Sequence, residues 1–274
     1  MKPSTLILDL LRTYHHTGTS VKTIMATGNL FGFTENLMRV SLSRLVARHT
    51  VENIKRGYYR LAVAADPLND FVEQWRLGDK RSRRWHKGEW VCIHTPQSLS
   101  EKGIWALFNN GFRQGADELW IRPDNLRVTG IELTQSLREL GLPESAILMS
   151  SASIDVSLQE RWLGHFNIEA LNRHYQETTR QLVESMQRLQ SMPVELAKKE
   201  SFNLGGYAIQ VLVKDPLIPE CLQQPGHRHQ LWQTMLKYDR AGRDVWANRS
   251  SDSSSVTLDD IPDIIPTPNL AIQL

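Results

Sequence analysis

Between Glu35 and Leu61 the hydrophobic period of the chain switches from helical to alternating within a few residues, and this switch limits what the N-terminal part can build. At 100° per residue Met38, Leu42 and Leu45 fall on one face of a helix running from Glu35 to about Arg48, with Leu37 and Ser41 beside them, so that face is expected to be buried. The opposite face carries the short side chains of Asn36, Val40, Ser43 and Ala47, flanked by Arg39 and Arg44. Val51-Glu52-Asn53-Ile54 and Tyr58-Tyr59-Arg60-Leu61 then alternate like two short strands around Lys55-Arg56-Gly57, a basic tip with a glycine suited to a tight turn.

Two more helices are expected upstream. Thr5 to Tyr14 places Leu6, Leu8, Leu10 and Leu11 around Asp9 and Arg12, and Gly18 breaks the run. Thr19 or Ser20 is a cap for a second short helix with Val21, Ile24 and Met25, which Gly28 is expected to end, before Gly32-Phe33-Thr34 supplies a turn and a new cap. Three helices followed by a basic-tipped hairpin make a winged helix-turn-helix over residues 1–65. Residues 1–65 hold nine Lys and Arg against three Asp and Glu, a local balance of +6 in a chain whose formal charge is only +2. That asymmetry fits a head that meets a polyanion, although a solvated helix face with two ordinary arginines would read the same way. In the DNA-binding arrangement the third helix enters the major groove while Lys55 and Arg56 touch phosphate or the minor groove.

Further along, residues 66–87 read as a linker helix from Asp66 to Leu77 followed by the basic run Lys80-Arg81-Ser82-Arg83-Arg84-Trp85-His86-Lys87, which is either solvated or adds phosphate contacts. Residues 88–157 alternate strand and helix: Trp90 to His94, Ser98 to Phe112, Leu119 to Arg122, Thr134 to Leu140 and Ala146 to Met149, an order typical of a ferredoxin-like domain. Residues 158–249 are helical, with one strong run from Gln159 to Ser191 and more helix from Phe202 to Trp246 around the turn Lys214 to Pro219. Residues 250–274 carry Asp252, Asp259, Asp260 and Asp263, no Lys or Arg and three prolines, and read as an extended acidic tail. At 274 residues, 41% apolar and 23% charged, the chain is long enough for two or three folded units and is neither collagen-like nor wholly disordered.

No stretch reaches the roughly 20 apolar residues that span a bilayer, and Cys92 and Cys221 match no metal or redox spacing, so a cytoplasmic protein with reduced thiols is expected. His227-Arg228-His229 would need a third ligand such as His174 or Cys221 to hold a transition metal, and spacing of this kind is more often a polar loop, so no metal is expected.

The segment Thr34-Glu35-Asn36-Leu37-Met38-Arg39-Val40-Ser41-Leu42-Ser43-Arg44-Leu45-Val46, the hairpin ending Tyr58-Tyr59-Arg60-Leu61 and the later Asp215-Pro216-Leu217-Ile218-Pro219-Glu220 together resemble the PaaX family, repressors of phenylacetate catabolism, over most of the chain. The resemblance implies an α+β fold: an N-terminal winged helix-turn-helix, a middle ferredoxin-like (Cas2-like) domain and a helical C-terminal domain for effector binding and dimerisation. It implies a bacterial cytoplasmic homodimer that occupies double-stranded operator DNA, sits with the nucleoid when bound, represses a catabolic operon, and lets go when an aryl-acyl-CoA such as phenylacetyl-CoA binds. It implies neither catalysis nor a cofactor beyond that acyl-CoA effector, whose contact residues it leaves unassigned. DNA reading passes to Arg39 and Arg44 first, then to Asn36, Val40, Ser43, Lys55 and Arg56. Two alternatives stand beside it: a metal-dependent nuclease of the Cas2-like type, against which Glu89 to His94 ends without a magnesium-holding aspartate, and a protein-interaction adaptor whose head does not bind DNA.

Overall fold

The computed structural model describes residues 1–14, 17–62, 74–151, 153–223 and 226–247; residues 66–73 of the expected linker helix and the whole acidic tail lie outside the described residues. The fold is mixed α+β, with two small antiparallel sheets and a helical C-terminal part. The chain divides into two compact units that do not follow chain order: one takes residues 1–72, 178–210 and 233–271, the other 73–177, 211–232 and 272–274. No described helix is long and apolar enough to cross a membrane.

The first unit opens with α1 (Pro3–Thr13), β1 (Thr19–Ser20), α2 (Val21–Leu30) and α3 (Glu35–Ala47), followed by β2 (Val51–Lys55) and β3 (Tyr58–Leu61). The caps fall where the hydroxyls are: Ser20 Oγ accepts from Thr23 N at 3.1 Å and Thr34 Oγ1 from Leu37 N at 3.3 Å, each satisfying an amide that the first helical turn leaves without a partner. Gly28 does not end α2. It lies inside the helix, buried, where a Cβ would sit 2.8 Å from Met38 Cε, so its role is to let α2 and α3 approach closely. The reversal comes later, at Gly32 (φ +82°), with Phe33 N donating to Gly28 O at 2.9 Å. β2 and β3 pair through the two-residue turn Arg56-Gly57, and the short β1 adds to β3, giving the order β1-β3-β2. Beneath them Leu6, Ile7, Leu10, Leu11, Ile24, Met38, Leu42, Leu45, Val51 and Leu61 form one core.

That core is completed from far along the sequence. α8 (Val194–Val213) supplies Phe202, fully buried in it, with its ring 5.0 Å from that of Phe31, and α9 (His227–Ala247) supplies Trp246 at its edge. α7 (Ile168–Leu189) is tied to α9 through Ser185, hydrogen-bonded to the Tyr238 hydroxyl at 2.8 Å.

The second unit is built on a four-stranded sheet: β4 (Trp90–His94), α4 (Glu101–Asn109), β5 (Arg113–Ala116), β6 (Leu119–Pro123), α5 (Gly130–Glu139) and β7 (Ile147–Ser151), with spatial order β5-β6-β4-β7. β5 was absent from the expected pattern because Arg113-Gln114-Gly115-Ala116 has no apolar alternation; it is an edge strand whose Gly115 leaves room for Ile121, 2.9 Å from where a Cβ would be. The long helical run of the sequence is broken into α6 (Val156–Gly164) and α7, because Asn167 turns left-handed (φ +45°) and its Oδ1 accepts from Ala170 N at 3.3 Å. Trp85, Trp90, Cys92, Ile121, Trp162, Phe166 and Ile218 make the second core.

The basic run after the linker is engaged in part: Lys80, Arg84, His86 and Lys87 are exposed, whereas Arg83 and Trp85 are held by the second unit. A 3₁₀-helix over Gln74–Arg81 is bent at Gly78 (φ +50°), where a Cβ would meet the Trp232 ring. Arg83 bonds Glu89 and Asp124 at 3.1 Å each, and the buried Trp85 donates its indole N–H to Glu89 O at 2.6 Å.

Candidate nucleic-acid interface

Every residue of the expected reading surface is exposed: Asn36, Arg39, Val40, Ser43, Arg44 and Ala47 on α3, and Lys55 and Arg56 at the hairpin tip. The surface exists because Met38, Leu42 and Leu45 are held in the core by α1 and α2, which fixes the rotation of α3 about its own axis. Leu37 departs from expectation: one residue round from Met38, it is 45% exposed and extends the surface toward the start of the helix, beside Val40 at 40%.

The four cations are not equivalent. Arg39 Nε donates to Glu35 Oε1 at 2.8 Å one turn back, so its guanidinium is already engaged. The Arg44 guanidinium makes no hydrogen bond or ion pair with any described residue. Lys55 Nζ sits 4.2 Å from the Tyr58 ring centroid, a cation–π contact that steadies a long side chain at the tip. Arg56 stands exposed in the turn, whereas Arg60 is tied across the hairpin to Glu52. Arg48, the exposed C-cap residue just past α3, is a further cation that the expected reading surface did not include.

The second unit holds another polar centre, which periodicity could not reveal. Arg122 on β6 is 1% exposed and donates to Pro123 O at 3.1 Å, to Asn125 Oδ1 at 3.1 Å and to Asn110 O. Its three partners are neutral, and burial together with the neighbouring Arg81 and Arg113 guanidiniums pushes it down to about 9, still cationic at neutral pH. Burial likewise pushes Arg113 down to about 10 and lowers Arg81. The buried carboxylate among them, Asp215, accepts from the Tyr175 hydroxyl at 3.0 Å and from Leu217 N at 2.8 Å, while Leu217 takes a left-handed φ of +53° and its carbonyl receives Asn125 Nδ2 at 2.7 Å. The Asp215-to-Glu220 motif is therefore a structural turn locked onto the loop after β6.

The two histidines of 227–229 do not converge: His227 Nε2 meets Gln176 Nε2 at 2.9 Å, whereas His229 Nδ1 meets Asp79. Among the described residues no group of three or more His, Cys, Asp or Glu is placed to hold a metal ion.

No protein-family model matches the chain, and neither does any curated protein sequence. Among solved structures the chain is similar to the uncharacterized protein Rv0674 from Mycobacterium tuberculosis, at 15% identity and a TM-score of 0.57, with 89% of this chain and 99% of that one covered. At that identity the likeness is one of fold.

Proposed function

We propose that this chain is a DNA-binding transcriptional repressor of a catabolic operon, with residues 1–65 acting as a winged helix-turn-helix and the four-stranded unit as a ferredoxin-like domain of the Cas2-like kind. The observation that carries the reading is the exposed face of α3, short side chains bordered by arginines, followed in the chain by an exposed basic hairpin tip. Such a face fits the major groove, where Asn pairs with adenine and Arg with guanine, and a basic hairpin fits the adjoining backbone. The protein works as a cytoplasmic homodimer whose two α3 helices meet half-sites about one helical turn, roughly 34 to 36 Å, apart. An aryl-acyl-CoA effector such as phenylacetyl-CoA releases it by favouring a dimer geometry that no longer matches this spacing; a 100-fold relief requires about 2.7 kcal/mol of coupling. No catalytic step belongs to this reading.

The test is footprinting on the DNA flanking the protein's own gene, repeated with a panel of acyl-CoA thioesters. A protected palindrome that disappears with one thioester and not with free coenzyme A is the expected result. Flat gel shifts at low salt on that DNA would leave the adaptor reading in its place, and EDTA-sensitive cleavage of the duplex the nuclease reading.

A further inference from the structure

The loop after β6, α5 and the 3₁₀-helix enclose a cavity of about 440 Å³ in the second unit, within the range of small-molecule sites. Four cations line it, Lys80, Arg81, Arg122 and Arg127, against two carboxylates, Glu132 and Asp215. Both carboxylates are already satisfied. Glu132 closes the capping box of α5, accepting from Thr129 N at 2.8 Å, and Asp215 holds Tyr175 and Leu217. Each Arg122 nitrogen donates to a neutral oxygen, and Arg127 Nε donates to Ser82 O at 2.8 Å. Arg81 differs: partly buried, it makes no hydrogen bond or ion pair from its guanidinium to any described residue. Its guanidinium lies part-buried near Asp215 and Arg228 and keeps its N–H donors without a partner among the described residues, so an anion entering the cavity would find them open.

The rest of the lining gives the shape of that anion. Leu126, Leu133 and Leu217 form an apolar wall, and at the mouth Leu77 is 50% and Val128 48% exposed, an unusual investment of large side chains on a charged rim. We infer that this cavity binds a small amphipathic organic anion, a carboxylate or phosphate ester whose charged end meets Arg81 and Arg127 and whose apolar body lies on Leu126, Leu133 and Val128. The site lies wholly within the second unit and stands apart from the DNA-binding reading, so either can fail without the other.

Isothermal titration of the full chain, without DNA, tests it with hexanoate, phenyl phosphate, the neutral hexanamide and inorganic phosphate. At least one of the two amphipathic anions is expected to bind with a Kd of about 1 mM or tighter. If it is hexanoate, the amide binds at least about tenfold more weakly; if it is phenyl phosphate, inorganic phosphate does. Comparison of the two anions decides between carboxylate and phosphate. Arg81→Gln is expected to weaken the bound anion at least about tenfold, the loss of a charge-assisted contact, while Arg44→Ala leaves it unchanged. Should Arg81→Gln not fold, Arg127→Gln, at an exposed position, is read in its place by the same criterion. The inference is overturned if neither amphipathic anion binds by about 10 mM, if the bound anion is matched by its control, or if the guanidinium variant binds as the parent does.

Discussion

At the residue scale the two α3 arginines differ in what they are free to do, and this separates their expected effects on DNA binding. Arg44, unengaged, is available for a bidentate guanine contact worth about 1 to 3 kcal/mol of discrimination, so Arg44→Ala is expected to weaken operator binding about 5- to 150-fold and random DNA far less. Arg39 must first leave Glu35, an exposed i,i+4 pair of the kind worth about 0.3 to 0.5 kcal/mol, so Arg39→Ala is expected to cost less and to weaken both DNAs alike. Glu35→Gln then raises affinity for any duplex, because it frees Arg39 and removes an anion near the phosphates; gel shifts on operator and scrambled DNA read all three. The two cysteines also part. Burial pushes the Cys92 thiol up to about 11 from an ordinary 9, whereas Cys221 is exposed, so iodoacetamide at pH 8 is expected to modify Cys221 and leave Cys92 until the protein unfolds. Because the folded pKa is raised, the unfolded chain loses the Cys92 proton first; its contribution to stability is intact below about pH 9 and is lost as pH rises toward 11, which denaturant titrations across that window detect.

At the element scale the decisive packing is between α3's support and a helix nearly two hundred residues away in sequence. Phe202 is fully buried among residues of α1, α2 and α3, so Phe202→Ala is expected to cost about 3 to 5 kcal/mol in urea unfolding and to weaken DNA binding without touching any exposed cation. Gly28→Ala drives a methyl into Met38 and is expected to cost about 1 to 3 kcal/mol by the same measurement, through overpacking at the α2–α3 crossing. The exposed face of α3 was legible because a 3.6-residue period fixes which side is buried whatever buries it, and the caps of α2 and α3 were legible because Ser20 and Thr34 carry the hydroxyls an open helix start needs. Phe202 was not, since a single aromatic in a helix names no partner. α5 was placed late in the chain although Thr129-Gly130-Ile131-Glu132 spells its capping box. β5 and the Arg81–Arg122–Asp215 centre left no periodic trace: one is an edge strand without alternation, and the other joins residues far apart in sequence through backbone carbonyls.

At the scale of the whole molecule, the head is one compact unit with parts of the C-terminal helices, so the exposed face proposed to meet DNA is carried by an element that residues 178–210 and 233–247 help to brace. How many such heads engage one site is a counting question that salt answers. Each phosphate neutralised by a cation releases counterions, and log affinity falls against log salt by about 0.9 per contact. A head brings Arg39, Arg44, Lys55 and Arg56, all exposed. If Arg44 is spent on a base, three phosphate contacts per head give a slope of about −3 for a monomer and about −5 for a dimer on a palindrome. Replacing Lys55 and Arg56 together by Ala removes two contacts per head, so the dimer's slope is expected to shrink by about 3.6 while its preference for operator over random DNA stays the same, since phosphate contacts position without specifying. Fluorescence anisotropy on labelled operator over a series of salt concentrations measures both slopes. A slope for the parent near −3 assigns a single head to each site, and a slope that the double substitution leaves unchanged removes the hairpin tip from the interface.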